Sequence, residues 1–209
     1  MSFVRWIPPF LWRTIKRFRR FIVRARYNSY TIAEYYRKQG AQIGENCDIS
    51  TNSLWPEPYL VSIGNHVFIS TGVAFHTHDG GVWIFRENNP GIRVYGTITI
   101  EDNCIIGRNV QLLPDIRIGR NSIVGANSVV ISDIPPNSIV MGVPARVISS
   151  IPKYEENCLA KWKAQRPPDL HIEEGLEWWT SRKNRQKLRK HLTNLFMNQR
   201  KAGGEEVEK

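Results

Sequence analysis

A six-residue period in the middle of the chain restricts its fold more than any other feature. From Ile100 to Val130, every sixth position holds a branched aliphatic residue, and the same spacing occurs, with one break, between Ile43 and Phe75. An α-helix repeats its apolar positions every 3.6 residues and an amphipathic strand every two, so neither explains this period. The period predicts short strands that turn at each repeat and stack as a parallel β-solenoid, with the aliphatic side chains pointing inward.

Small and polar residues separate the aliphatic positions. A glycine often follows the aliphatic residue, where we expect the backbone to turn tightly. Asparagine tolerates the left-handed backbone of a tight corner. We expect corners at Asn46, Asn103, Asn109, Asn121 and Asn127. Cys47 and Cys104 fall at inward positions, which predicts that they fill the core and have no redox role.

The repeat region also resembles a known enzyme family. The segments that carry the resemblance are 106–110, 118–130, 134–138 and 142–148. They are similar to the hexapeptide-repeat acyltransferases, and most of all to the maltose, galactoside and capsular or O-antigen sugar O-acetyltransferases. The resemblance covers roughly residues 40–148. It implies a left-handed parallel β-helix, acetyl-CoA as the acyl donor and a homotrimer with sites between subunits.

The chain divides into three predicted regions. Residues 1–40 form a basic amphipathic helical region, residues 41–150 form the left-handed β-helix with an inserted loop at 80–97, and residues 151–209 form a helical extension. The predicted fold class is therefore an all-β solenoid with flanking α-helices. In residues 9–26, apolar residues recur at helical spacing between arginines. Two interpretations remain open for this helix: it packs on the solenoid, or it lies on an anionic membrane surface.

Charge and cysteine usage restrict the partners and the compartment. The net charge is +10, but residues 41–150 contain six basic and nine acidic residues, so the excess lies at the two ends. A nucleic-acid-binding core carries its own basic face, so we expect no nucleic acid partner. Three scattered cysteines do not form a disulfide framework, and no signal peptide or membrane-length apolar run is present in the sequence. We expect a cytoplasmic protein, with peripheral contact at the inner face of the membrane as the membrane-bound alternative.

Two interruptions of the repeat are candidate functional segments. The first covers 51–62, and the second follows Phe75 and begins His76-Thr77-His78-Asp79. Long loops in a regular scaffold commonly carry function. Strand parity predicts that His76 and His78 both point outward. The family resemblance implies that His78 is the general base. Asp79, its neighbour, is a candidate to orient the ring or to stabilise the imidazolium. His76 is a candidate acceptor-binding residue, at a position where relatives more often have an apolar residue.

The same resemblance implies where the donor binds. Arg146 resembles the base that contacts the phosphates of coenzyme A, and the predicted groove for its pantetheine arm includes small residues. The predicted donor-binding residues are Gly125, Ala126, Ser132, Pro144 and Arg146. Trp83, in the inserted loop, is a candidate platform for a sugar ring.

A metal site is the competing interpretation of the two histidines. A zinc site needs at least three protein ligands, and no His-x4-His pair accompanies His76 and His78. We therefore expect no metal. A sugar hydroxyl needs a base to remove its proton as it attacks a thioester, and imidazole suits that task.

These features predict an acetyl-CoA-dependent O-acetyltransferase. The predicted acceptor is a hydroxyl of a sugar or glycan in surface polysaccharide biosynthesis, and transfer is direct. Two alternatives remain at this point: an N-acetyltransferase of an amino sugar nucleotide, and a non-catalytic, membrane-associated β-solenoid scaffold. The His-Thr-His-Asp segment favours an enzyme, because a scaffold does not need it.

Overall fold

The computed structural model describes residues 27–50, 55–168 and 182–204, together with Phe18, Ile22 and Arg26. Thirteen short strands lie within the described residues between 42 and 150. They are β1 (Gln42–Ile43), β2 (Asp48–Ile49), β3 (Val61–Ile63), β4 (Phe68–Ile69), β5 (Ala74–Phe75), β6 (Ile98–Ile100), β7 (Ile105–Ile106), β8 (Gln111–Leu112), β9 (Ile116–Ile118), β10 (Ile123–Val124), β11 (Val129–Val130), β12 (Ser138–Met141) and β13 (Arg146–Ser150).

The strands form three sheets that the chain visits in turn. Sheet 1 has the order β1-β3-β6-β9, sheet 2 has β2-β4-β7-β10-β12-β13, and sheet 3 has β5-β8-β11. All neighbouring strands are parallel except β12 and β13, which form an antiparallel pair. Strands β3 to β11 follow the sequence sheet 1, sheet 2, sheet 3 at each coil, and β12 and β13 both join sheet 2. The predicted stack of short parallel strands is confirmed, and its left hand stays a prediction.

The register aligns the six-residue period across coils. Ile63, Ile100 and Ile118 are partners in sheet 1, and each is buried. Equivalent buried rows run through sheets 2 and 3. They are Ile69, Ile106 and Val124 in sheet 2, and Phe75, Leu112 and Val130 in sheet 3. Burial of apolar surface contributes about 25 cal/mol per Å², so these rows supply the main stabilisation of the coil.

Asparagines occupy the corners as predicted. All five predicted residues have φ between 55° and 59°, the left-handed region that asparagine tolerates. Their side chains also connect neighbouring coils: Nδ2 of Asn103 donates to Oδ1 of Asn121 at 2.9 Å, and that of Asn121 donates to Asn137 at 3.0 Å. His66 shares the corner conformation, and its Nδ1 lies 2.8 Å from Oδ1 of Asn103.

Glycines of the repeat lie at close contacts between neighbouring coils. Gly107 does not have a positive φ, and a Cβ on it would lie 2.6 Å from the backbone nitrogen of Ala126. At Gly64, a Cβ would lie 2.7 Å from the nitrogen of Asp102. Real Cβ atoms do not approach backbone this closely. These glycines therefore allow adjacent coils to approach each other, a role that the sequence analysis did not predict.

One helix and an aromatic stack pack against the first coils. Helix α1 (Ile32–Arg37) buries one face, and the ring of its Tyr36 stacks on Trp55 with centroids 3.8 Å apart. Trp55 in turn contacts the inward Phe75 at 4.4 Å. The stack therefore joins α1, the first interruption and the last inward residue before the second interruption. The predicted helix over 9–26 lies largely outside the described residues.

The chain separates into two compact units, Met1–Ile151 and Pro152–Lys209. The predicted C-terminal helices are present as α2 (Ile151–Gln165) and α3 (Arg182–Gly204). The sequence predicts that Trp178 and Trp179 pack against the solenoid or a neighbouring subunit, and both lie outside the described residues. None of the helices in the described part of the chain is both long enough and apolar enough to cross a bilayer.

Candidate active site

The two interruptions of the repeat meet at one histidine. Glu57, in the first interruption, directly precedes a 3₁₀ turn (Pro58–Leu60), and its Oε2 lies 3.0 Å from Nδ1 of His78 in the second. A carboxylate only accepts hydrogen bonds, so Nδ1 of His78 donates. The side chain of Glu57 is 17% exposed, whereas that of His78 is 45% exposed. The arrangement anchors one ring nitrogen on a mostly buried acid while the ring stays accessible to solvent.

A buried hydroxyl shares the same carboxylate oxygen. Thr77 is 0% exposed, and its Oγ1 donates to Oε2 of Glu57. Thr77, His78 and Glu57 therefore form one hydrogen-bonded group that reaches from the interior to the surface.

Backbone pairing closes the base of the second interruption. The nitrogen of Gly96 donates to the carbonyl of Thr77 at 3.0 Å, and the nitrogen of Asp79 donates to the carbonyl of Val94 at 2.9 Å. His78 and Tyr95 form an isolated antiparallel bridge, and their rings meet edge to face at 6.4 Å. The backbone hydrogen bonds of Thr77 and Asp79, the two neighbours of His78, thus tie the outgoing end of the loop to its returning end.

The predicted role of Asp79 is corrected by its contacts. Its Oδ1 accepts a hydrogen bond from the nitrogen of Gly81 at 2.7 Å and so caps the 3₁₀ helix over Gly80–Phe85. Aspartate readily bonds to the backbone two residues further on. The acid in contact with His78 is Glu57, which the sequence analysis did not identify as a candidate.

The second histidine is held separately. His76 is exposed, as strand parity predicted, and its Nε2 lies 2.9 Å from Oε1 of Gln111 on the next coil. Since His78 bonds to Glu57 instead, the two histidines have different partners. Trp83 is exposed in the loop, with the guanidinium of Arg86 5.4 Å from its ring centroid. Acceptor binding by His76 and by Trp83 stays a prediction.

The structure brings part of the predicted donor-binding set to one end of sheet 2. A Cβ on Gly125 would lie 2.4 Å from Cγ of Met141, and Met141 pairs with Arg146 across the β12–β13 hairpin. The other predicted residues, Ala126, Ser132 and Pro144, are exposed, as is Arg146. Exposed groups at the end of the coil are available to a ligand, and coenzyme A binding by them stays a prediction.

The predicted core position of the two cysteines is confirmed. Both Cys47 and Cys104 are buried, and the thiol of Cys104 donates to the carbonyl of Gly119 at 3.3 Å. Burial raises the pKa of the Cys104 thiol to about 11 and raises that of Cys47 as well. Among the residues that the structure describes, no group of three or more His, Cys, Asp or Glu side chains could hold a metal ion.

Glu57 and Tyr95 are the contact residues of His78 that the sequence analysis missed. One signal could have found Glu57: it lies in the first interruption, and the reasoning applied to the second interruption applies equally there. Tyr95 could not be found in this way, because its pairing with His78 requires the loop to return beside its own start.

Comparison with known proteins identifies the family. The bacterial transferase hexapeptide family (six repeats) matches residues 97–132. Protein CapG of Staphylococcus aureus is 48% identical over 126 residues, which are 59% of this chain and 73% of that protein. The chain belongs to the hexapeptide-repeat transferases. Galactoside O-acetyltransferase of Escherichia coli (strain K12) is 35% identical over 127 residues; the match covers 59% of this chain and 62% of that protein, less than two thirds of its length.

A solved structure agrees with this membership. A hexapeptide-repeat-containing acetyltransferase of Vibrio cholerae matches with a TM-score of 0.51 and 24% identity over 66% of this chain and 90% of that chain, which shows a shared fold. Its complex with acetyl coenzyme A matches with a TM-score of 0.49 and 32% identity, covering 54% and 61% of the two chains. Membership of the family confirms the predicted enzyme class, an acetyltransferase.

Proposed function

We propose that this protein transfers an acetyl group from acetyl-CoA to a hydroxyl of a sugar or glycan, with His78 as the general base. The hydrogen bond between Nδ1 of His78 and Oε2 of Glu57 is the observation that carries this proposal. It leaves the lone pair of Nε2 free on a ring that is nearly half exposed. A base needs both an available lone pair and access to the acceptor.

The transfer proceeds in a ternary complex. The acceptor oxygen attacks the thioester carbonyl carbon while its proton moves to Nε2 of His78, and the resulting imidazolium is stabilised by the carboxylate of Glu57. The tetrahedral intermediate then collapses, the carbon–sulfur bond breaks, and the proton passes from the imidazolium to the departing thiolate. Backbone N–H groups of the coil stabilise the oxyanion.

The donor lies along the coil in this proposal. The small residues Gly125 and Ala126, with Ser132 and Pro144, accommodate the pantetheine arm, and Arg146 contacts the phosphates. The adjacency of Gly125, Met141 and Arg146 supports this placement. The coil is left-handed in this proposal. The protein is a homotrimer, because one subunit supplies only one wall of a cleft that must hold both donor and acceptor.

The acceptor is proposed to be a glycan of a surface polysaccharide. Similarity to a galactoside O-acetyltransferase supports a sugar hydroxyl. The exposed Trp83 offers an aromatic face to a sugar ring, and His76, exposed two residues before the base, offers a further hydrogen-bonding group. Aromatic faces are common sugar platforms because their apolar surface covers the C–H face of the ring.

We further propose that the protein works at the inner face of the membrane. Phe18 and Ile22 lie one helical turn apart, both are helical, and they are 63% and 46% exposed. Residues 1–40 contain ten basic residues and one acidic residue. Exposed apolar groups in a basic helix favour an anionic lipid surface.

The release of free thiol from acetyl-CoA, measured across a panel of acceptors, tests the function. We expect release with galactosides or lipid-linked glycans. Release with amino sugar nucleotides alone, with the acetyl group found on nitrogen in the product, would establish the N-acetyltransferase alternative. If no acceptor supports release and calorimetry detects no coenzyme A binding, the protein is a scaffold and the proposal is wrong.

A further inference from the structure

Thr77 links the interior of the coil to the proposed base. Its side chain is completely buried, yet it precedes an exposed histidine. The hydroxyl of Thr77 and Nδ1 of His78 both donate to the same oxygen, Oε2 of Glu57. Two donors from consecutive residues thus act on one carboxylate oxygen.

Thr77 is itself well fixed. Its carbonyl accepts a hydrogen bond from the nitrogen of Gly96 at 3.0 Å, which ties its backbone to the returning end of the loop. A β-branched side chain has few accessible χ1 rotamers, so a fixed backbone also fixes its hydroxyl. Glutamate, in contrast, has a long side chain that loses considerable rotamer entropy when it is held in one position.

We propose that Thr77 is a positioning residue: its hydroxyl fixes the carboxylate of Glu57, which in turn holds His78 in the Nδ1–H tautomer. Neutral imidazole has two tautomers, and the Nδ1–H form leaves Nε2 free to accept a proton. The inference rests on the proposed role of His78 as general base, and it identifies the group that selects the working tautomer.

The other polar groups near His78 do not fill this role. The carboxylate of Asp79 accepts from the nitrogen of Gly81, and Tyr95 meets the imidazole edge to face, with centroids 6.4 Å apart. Of the charged and titratable groups that face His78 in the described structure, Glu57 is the one that contacts a ring nitrogen. Loss of the Thr77 hydroxyl should therefore act on His78 through Glu57.

Nitrogen-15 NMR of the resting, full-length protein tests the tautomer directly. Thr77→Val removes the hydroxyl at nearly constant shape, Thr77→Ser retains it, and Thr99→Val is a matched control in sheet 1. The His78 signal is assigned by its loss in His78→Asn. We expect the Nδ1–H tautomer in the wild type, Thr77→Ser and Thr99→Val, and a mixture of both tautomers in Thr77→Val. An unchanged tautomer in Thr77→Val overturns the proposal.

This measurement needs no substrate, so it decides the role of Thr77 even if no acetyl transfer is found. Such a failure would concern the proposed function alone. Thr77→Ala removes the same hydroxyl without adding a methyl group, and it replaces Thr77→Val in the NMR comparison if the valine variant does not fold. A wild-type tautomer in the alanine variant overturns the proposal equally.

A double-mutant cycle of Thr77 and Glu57, measured on kcat, tests the same coupling during turnover. Thr77→Val should lower kcat by roughly ten- to a hundredfold, the usual cost of losing an outer orienting partner, with an unchanged KM for acetyl-CoA. Because Thr77 acts through Glu57, the same substitution should have little further effect in a Glu57→Gln background. Equal losses of kcat in the two backgrounds would contradict the coupling.

Discussion

At the residue scale, the candidate site combines a mostly buried carboxylate, that of Glu57, with the more exposed imidazole of His78. Glu57 is mostly withdrawn from water, and a buried carboxylate is costly unless it is hydrogen-bonded. Thr77 and His78 supply two such hydrogen bonds, both to Oε2 of Glu57. The imidazole can therefore gain and lose a proton beside a fixed anion. This is the electrostatic setting that a general base requires.

The raised pKa values of the core cysteines predict which cysteines an alkylating reagent can modify. Burial raises the pKa of Cys104 to about 11 and also raises that of Cys47, so their thiolate fractions are small at neutral pH. At about pH 8, near the ordinary pKa of a thiol, iodoacetamide should modify the exposed Cys158 of the native protein and spare the other two. Mass spectrometry should then find one modified cysteine in native protein and three after unfolding. Rapid modification of Cys104 in native protein would show that the coil opens readily.

The sequence led to His78 but not to its partner, for a physical reason. A catalytic segment is visible because its residues are adjacent, whereas Glu57 and His78 are 21 positions apart and meet only through the path of the first interruption. Adjacency also misled the prediction for Asp79. A carboxylate beside a turn commonly bonds to its own backbone, and Asp79 does so.

At the element scale, the coil depends on close approach between successive turns. The inward aliphatic rows could be predicted because each inward position repeats every six residues, whatever the loops do between them. The contact of Gly107 with the next coil could not be predicted, because it depends on the distance between two backbone segments that are 19 positions apart in the chain. A turn residue and a close-contact residue both appear as glycine in a sequence.

Gly107→Ala tests this account of the glycines. Its new Cβ would lie 2.6 Å from the nitrogen of Ala126, so we expect a loss of about 1–3 kcal/mol in the free energy of unfolding, the usual cost of overpacking. Gly91→Ala is the matched control, because a Cβ there meets nothing within 4 Å. Chemical denaturation measures both. Equal stability of the two variants would mean that the coils separate easily at Gly107.

At the scale of the whole molecule, basic charge is concentrated away from the coil. The repeat region is mildly acidic, and the N-terminal forty residues are strongly basic. Composition alone left two interpretations of the N-terminal helix, because an amphipathic pattern does not specify what covers its apolar face. The exposure of Phe18 and Ile22 favours the membrane interpretation.

Replacing both residues in the full chain, Phe18→Ser with Ile22→Ser, tests membrane binding. Binding to vesicles of phosphatidylcholine and phosphatidylglycerol should fall at least tenfold, since each apolar side chain buried in lipid contributes about 1.5–3 kcal/mol. Phe68→Ser, at another exposed phenylalanine, is the control and should bind like the wild type. Wild-type binding should also weaken with salt. If the wild-type protein does not bind these vesicles, the interpretation that the helix packs on the solenoid is established.

The most direct test of the central claim compares turnover in His78→Ala and His76→Ala at saturating acceptor. Loss of the base should lower kcat by about 10²–10⁴ in His78→Ala, the usual contribution of a positioned proton acceptor. His76→Ala should cost far less, because its ring bonds to Gln111 and not to the Glu57 carboxylate. Calorimetry should show unchanged coenzyme A binding in both variants. If His76→Ala is the inactive variant, or if both variants retain wild-type turnover, then His78 is not the base and the account is wrong.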